Sequence, residues 1–120
     1  MTGDQALGEL LDVSEDVGGA VIFDPEGAPL AATVGEDEAR SAAEIGGAML
    51  AYADALRAEA SVRRLEAVTP AGSVFVVREG DRAVVAATGP DPVAGLVYHD
   101  LRTVLQKIRA RTRGKANAAS

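Results

Sequence analysis

Apolar residues along this chain change their spacing several times, and each change marks a new element. Leu7, Leu10, Leu11 and Val17 predict a short amphipathic helix from Asp4 to Val17, stopped by Gly18-Gly19. Ala20-Val21-Ile22-Phe23 is apolar at every position and reads as a strand covered on both faces. Asp24-Pro25-Glu26-Gly27 has the residues of a type I turn, and Ala28 to Val34 returns as the second strand of a hairpin. Glu36-Asp37-Glu38 puts acids where the dipole of a starting helix favours them, and that middle helix extends to about Glu59. From Val62 to Thr69 the chain alternates, with Arg64, Glu66 and Val68 on one side and Arg63, Leu65, Ala67 and Thr69 on the other. This strand is polar enough for the edge of a sheet. Ser73 to Arg78 is a second continuous apolar strand, and Arg82 to Thr88 follows after the tight turn Glu79-Gly80-Asp81. Asp91 and Pro92 suit the N-cap and first position of a last helix, whose apolar side is Val93, Val97, Leu101, Val104 and Ile108.

The order helix, hairpin, helix, three-stranded meander, helix defines an α+β domain. One five-stranded antiparallel sheet is flanked by three helices, the middle helix on one face and the terminal helices on the other. Residues 1–110 form this domain, and residues 111–120 are expected to be a disordered basic tail.

The middle helix carries more apolar surface than one docking face requires. Ile45, Met49, Tyr52 and Leu56 share one direction, while Ala39, Ala43, Gly46, Leu50 and Ala53 form a stripe roughly 100° around the helix. Each glycine inside a helix costs about 1 kcal/mol relative to alanine, so Gly46-Gly47 needs a compensating close approach. Either the glycines let the helix lie flat on its own sheet, or they let it meet a second copy. The second reading assigns Ala39, Ala43, Gly46, Leu50 and Ala53 to a dimer interface, joined by the edge-strand residues Arg63, Leu65 and Ala67. Arg40, Glu44 and Asp54 take the wet side.

Composition narrows the choice of function. Hydrophobic content is 48% but aromatic content only 3%, so the core is aliphatic and alanine-rich. Net charge is −6 and unevenly placed, because all 18 Asp and Glu precede residue 101 while 6 of the 12 Lys and Arg follow it. An acidic body argues against nucleic acid, and no apolar run approaches the ~18 residues of a membrane span. A start without a basic-then-apolar leader pattern points to the cytoplasm.

Candidate chemistry is sparse. The chain has no Cys and one His, so no Cys/His dyad or zinc site can form within one subunit. His99 lies opposite Val97 and Leu101 on the last helix and is expected in solvent. Gly46-Gly47 falls inside a helix and cannot cradle a phosphate. Asp12, Glu15 and Asp16 read as a solvated acidic face and not as a Ca²⁺ loop. No catalytic, cofactor or metal residues are assigned, and the reading is of an interaction module and not an enzyme.

Two stretches resemble the roadblock family of the dynein light-chain type. Val17-Gly18-Gly19-Ala20-Val21-Ile22-Phe23-Asp24-Pro25-Glu26-Gly27, followed by Ala28-Pro29-Leu30-Ala31-Ala32, is similar to the family's opening strand, turn and strand. Gly95-Leu96-Val97-Tyr98-His99-Asp100-Leu101-Arg102 is similar to its closing helix. The resemblance implies a profilin-like roadblock fold in a bacterial single-domain member. It also implies a homodimer whose sheets join edge to edge, and a small Ras-like GTPase as partner. Regulation of such a GTPase would proceed by protein–protein contact, with Arg40, Glu44 and Asp54 on the partner-facing side. The alternatives are a dimeric signalling scaffold and a ligand-sensing domain of the PAS or profilin-like kind, which would need a pocket.

Overall fold

The computed structural model describes the backbone of residues 2–57 and 62–119, and side chains in those stretches as far as Ile108. The elements are α1 (Gly3–Val13), β1 (Val17–Phe23), β2 (Pro29–Ala32), α2 (Glu36–Leu56), β3 (Arg64–Thr69), β4 (Gly72–Glu79), β5 (Arg82–Thr88) and α3 (Ala94–Ala119). The strands form one sheet in the order β2-β1-β5-β4-β3, each neighbour antiparallel. This is the α+β architecture that the apolar spacing predicts. The two continuous apolar strands, β1 and β4, lie inside the sheet, and the alternating β3 lies at its edge.

The turns follow the chemistry of their residues. The Gly27 N–H donates to the Asp24 carbonyl at 2.9 Å, and the Asp24 carboxylate accepts from the N–H groups of Glu26 and Ala28. Between β4 and β5 the loop has two residues, and Gly80 takes a φ of 61° at its first position. Only glycine adopts that backbone without strain, and it gives the turn a twist that matches the strands.

Two cores sandwich the sheet. On one face α1 and α3 bury Ala6, Leu7, Leu10, Val97, Leu101, Val104 and Leu105 against Ile22, Phe75, Val77 and Val84. On the other face α2 alone covers Val21, Phe23, Val76, Ala83 and Val85. α2 crosses the sheet obliquely. It starts just after β2, its Gly46 rides over Phe23 and Val85, and its Asp54 reaches Arg78 on β4.

Two helix ends differ from expectation, and the expected end of the middle helix near Glu59 lies outside the described residues, which show α2 as far as Leu56. α1 stops at Val13, where Ser14 is already extended and its hydroxyl accepts from the Val17 N–H at 3.3 Å. Val17 and Gly18-Gly19 therefore open β1, and Val17 is buried as a strand residue. Asp91 is not the N-cap of α3: its φ is 55°, and the helix begins at Ala94. Instead the Asp16 carboxylate accepts from the Val93 N–H at 3.0 Å, a cap delivered from another part of the chain. It places one of the three acids of the expected acidic face in a structural role. The side chains of 111–120, the expected disordered tail, lie outside the described residues. Among the described residues no helix is long and apolar enough to cross a membrane.

Candidate functional site

α2 shows how the two predicted stripes divide their work. The small-residue stripe faces inward: Ala39, Ala43, Gly46 and Leu50 are buried on the chain's own sheet. A Cβ on Gly46 would lie 2.9 Å from the tip of the Phe23 ring and 3.3 Å from Val85, so only glycine lets the helix sit this close. The glycine thus serves close approach within one chain, and the assignment of Ala39, Ala43, Gly46 and Leu50 to a dimer contact is corrected. Ala53 is half-buried at the end of the same stripe.

The second stripe faces out. Ile45 is 57% exposed, Tyr52 72% and Leu56 70%, with the half-buried Met49 between them at the rim of the core. These large side chains are oriented away because the inward path is taken by the small ones. Below them the β3–β4 part of the sheet carries Leu65 and Val74, which pack only partly against the same core. An open apolar cleft of about 210 Å³ lies beside Ile45 over β1 and β5, lined among others by Val21, Val34, Ala42 and Val85, with Val74 of β4 at its side. It falls short of the roughly 300–1,000 Å³ of small-molecule sites. A wider trough of about 950 Å³ opens at the β4–β5 turn, but Arg63, Arg78, Arg82, Asp54 and Asp81 stand in its walls.

Along the edge of this surface, Leu65 and Ala67 on β3 are half-buried and Arg63, just before the strand, is exposed. On the opposite face of β3, Arg64 rests over the Tyr98 ring at 5.1 Å. Tyr98 in turn meets Phe75 edge-on, at 5.1 Å and 82°. Burial raises the Tyr98 hydroxyl pKa, Glu66 raises it further and Arg64 opposes them.

The residues of the expected wet side have separate fates. Arg40 and Glu44 are exposed, and Arg40 lies 3.6 Å from Glu36 and 3.8 Å from Asp37 one turn earlier. Asp54 is not free for a partner. It receives both prongs of the Arg78 guanidinium, at 2.9 and 2.6 Å, and the Val62 N–H at 2.8 Å. These bonds to Arg78 and Val62, aided by the Arg78 charge, hold its carboxyl down at about 2 against an ordinary 3.8. Nothing in the residue types announces this clamp, because Asp54 and Arg78 are 24 positions apart and meet only through the oblique path of α2. His99 is in solvent, as its helix position predicts, with its ring 3.4 Å from the Asp100 carboxylate.

No family model matches the sequence, and no curated protein matches it. Solved structures do. A Roadblock/LC7 domain from Streptomyces avermitilis superposes with a TM-score of 0.84 at 13% identity, over 94% of this chain and 99% of that one. Myxococcus xanthus MglB gives 0.77 at 13% identity, covering 93% and 88%. Profilin IA from Acanthamoeba castellanii gives 0.56 at 15% identity, covering 96% and 99%. The chain therefore has the Roadblock/LC7 fold, a profilin-like architecture that resembles the roadblock structures more than the profilin.

Proposed function

We propose that this chain is a homodimeric regulator of a bacterial Ras-like small GTPase, working in the cytoplasm by protein–protein contact. The observation that carries the reading is the outward stripe Ile45, Met49, Tyr52 and Leu56, set beside a half-covered sheet face and the edge strand β3. Large apolar groups so grouped mark an interaction surface. A second copy would cover the stripe with its own and continue the sheet from β3. Leu65 and Ala67 lie within that contact and Arg63 at its rim. The GTPase half of the reading rests on the roadblock resemblance and on the fold shared with the gliding protein MglB. Arg40 and Glu44 stay available to such a partner; Asp54 is withdrawn, since its carboxylate already serves Arg78 and Val62.

Light scattering at micromolar concentration is the first test. The expected mass is near twice 12.3 kDa. Tyr52→Asp should return it to one chain. A monomeric wild type would remove the dimer. GTP hydrolysis by purified bacterial Ras-like GTPases, with and without this protein, then tests the regulatory half. A changed rate supports it, and capture without any change in rate leaves a scaffold instead.

A further inference from the structure

The outer edge of β3 has a stop at each end. The Arg78 N–H donates to the Arg63 carbonyl at 2.7 Å, and the ladder continues through Arg64 opposite Val77 to Thr69 opposite Gly72. In an antiparallel ladder, residues that bond to the neighbour alternate with residues whose N–H and C=O point away from it. Arg63 turns its backbone towards β4, so Arg64, Glu66 and Val68 turn theirs outward, and Val62, just ahead of the strand, is the next residue in that alternation. The backbone groups of Val62 are already taken within the chain. Its N–H donates to Asp54, and its carbonyl accepts from Arg78. At the other end Pro70 has no N–H and lies in the turn. The open edge is therefore limited to Arg64, Glu66 and Val68.

Resting on the dimeric reading above, we propose that the Asp54–Arg78 clamp and Pro70 set the register in which two copies pair. Glu66 of each copy then lies on the two-fold axis. A symmetric antiparallel pair places Arg64 opposite Val68 and Glu66 opposite Glu66, and uses all three open residues of each strand. Sliding two residues one way puts Arg64 opposite Glu66, but it needs the backbone groups of Val62 for Val68. Sliding two residues the other way sets Arg64 against Pro70. A slip of one residue turns every side chain to the wrong face.

Charge makes the clamp necessary. The slid register with Arg64 directly opposite Glu66 forms favourable cross-strand pairs, whereas the proposed register sets two like charges face to face. Charge complementarity is kept on the diagonal, where Arg64 of each strand reaches Glu66 of the other. By occupying Val62, Asp54 and Arg78 close off the competitor. Both are positioning residues: they act through the backbone they hold and do not themselves meet the second copy.

The chain has no cysteine, so single cysteines at 64, 66 and 68 can carry nitroxide labels one at a time. Label-to-label distances in the dimer should be shortest at 66, with 64 and 68 longer and equal. Equal short distances at 64 and 66, with 68 the longest, would overturn the proposal. So would a dimer with no close approach at any of the three, although the dimer itself would stand. A monomeric mass would remove the dimeric reading and the register together. Asp54→Ala in the same labelled chains should move the pattern towards equality at 64 and 66. Arg78→Lys, which keeps charge but lacks the fork, should move it the same way where Asp54→Ala does not fold. An unmoved pattern in folded variants would show that the clamp supports the strand without setting its register.

Discussion

The two faces of the sheet are closed by different means. Between the sheet and the pair α1 and α3, the space is filled by large side chains, among them Leu7, Leu10, Phe75, Leu101 and Leu105. Under α2 the contact is thin, with Gly46 directly over Phe23 and Val85 and the small side chains of Ala39 and Ala43 in the same core. Apart from Leu50 and the half-buried Met49, the large apolar side chains of α2 point the other way. Burying one such side chain contributes about 1.5–3 kcal/mol, and the isolated chain forgoes this at Ile45, Tyr52 and Leu56. A helix serving one chain alone places most of its large residues inward, as α3 does with Val97, Leu101, Val104 and Leu105, leaving only Leu96 exposed among its described large apolar residues. The first face closes over large buried side chains, and the second leaves a stripe of large apolar side chains in solvent, which the proposed dimer would cover.

The contrast breaks most sharply if equivalent truncations cost the same on both faces. Leu101 is fully buried, and Leu101→Ala should lower stability by about 2–5 kcal/mol in urea denaturation. Tyr52→Ala should stay within about 0.5 kcal/mol under dilute conditions where the chain is monomeric. At higher concentration Tyr52→Ala should remove the concentration dependence of the wild-type midpoint, because association adds stability only to the folded chain. Equal losses at both sites in dilute solution would mean that Tyr52 packs within its own chain. Gly46→Leu tests the thin contact itself. It forces a side chain into the Phe23 ring and should cost about 1–3 kcal/mol with the dilute protein, in the same denaturation assay. A fully stable variant would show that α2 can lift from the sheet.

Most of the fold is legible in the residues because local signals agree with it. Residues 20–23 of β1 and 74–77 of β4 are apolar at every position and lie inside the sheet between the two cores, and β3 alternates and lies at the edge. The exceptions have physical reasons. The residues show both stripes of α2, but not which one lies on the sheet, and the structure buries the small one and turns the large one out. The short distance from the helix to Phe23, which excludes any Cβ at Gly46, is a property of the packed sheet and not of the helix sequence. Val17 has the spacing of an α1 residue yet pairs with Thr88, a partner 71 positions away. Local residue types point to Asp91 as the cap of α3, but it is supplied by Asp16 from 77 positions away. The candidate site depends on similar long-range meetings. Helix periodicity alone puts Arg40 and Glu44 in solvent, as the structure does, while Asp54, with the same periodicity, is held in a clamp by Arg78.

That clamp yields the smallest effect and the most specific one, because it ties the half-core face to the edge strand. The folded pKa of Asp54 is about 2, depressed from 3.8 by its bonds to Arg78 and Val62. A depressed carboxylate contributes stability that is present above its unfolded pKa and is lost as pH falls through the folded value. The contribution therefore fades between about pH 4 and about pH 2, where the proton competes with Arg78 for the carboxylate. Its site is partly open to solvent, so the effect is modest. Thermal midpoints of wild type and Asp54→Asn should be compared from about pH 5 down to about pH 2. Other carboxylates titrate in both chains, so the informative quantity is the gap between the two curves. Wild type should be the more stable at the upper end, and the gap should narrow as acid is added. A gap that stays constant to the lowest pH would mean that Asp54 holds Val62 by a bond its charge does not strengthen, and the Arg78 fork would lose its role in fixing the start of β3.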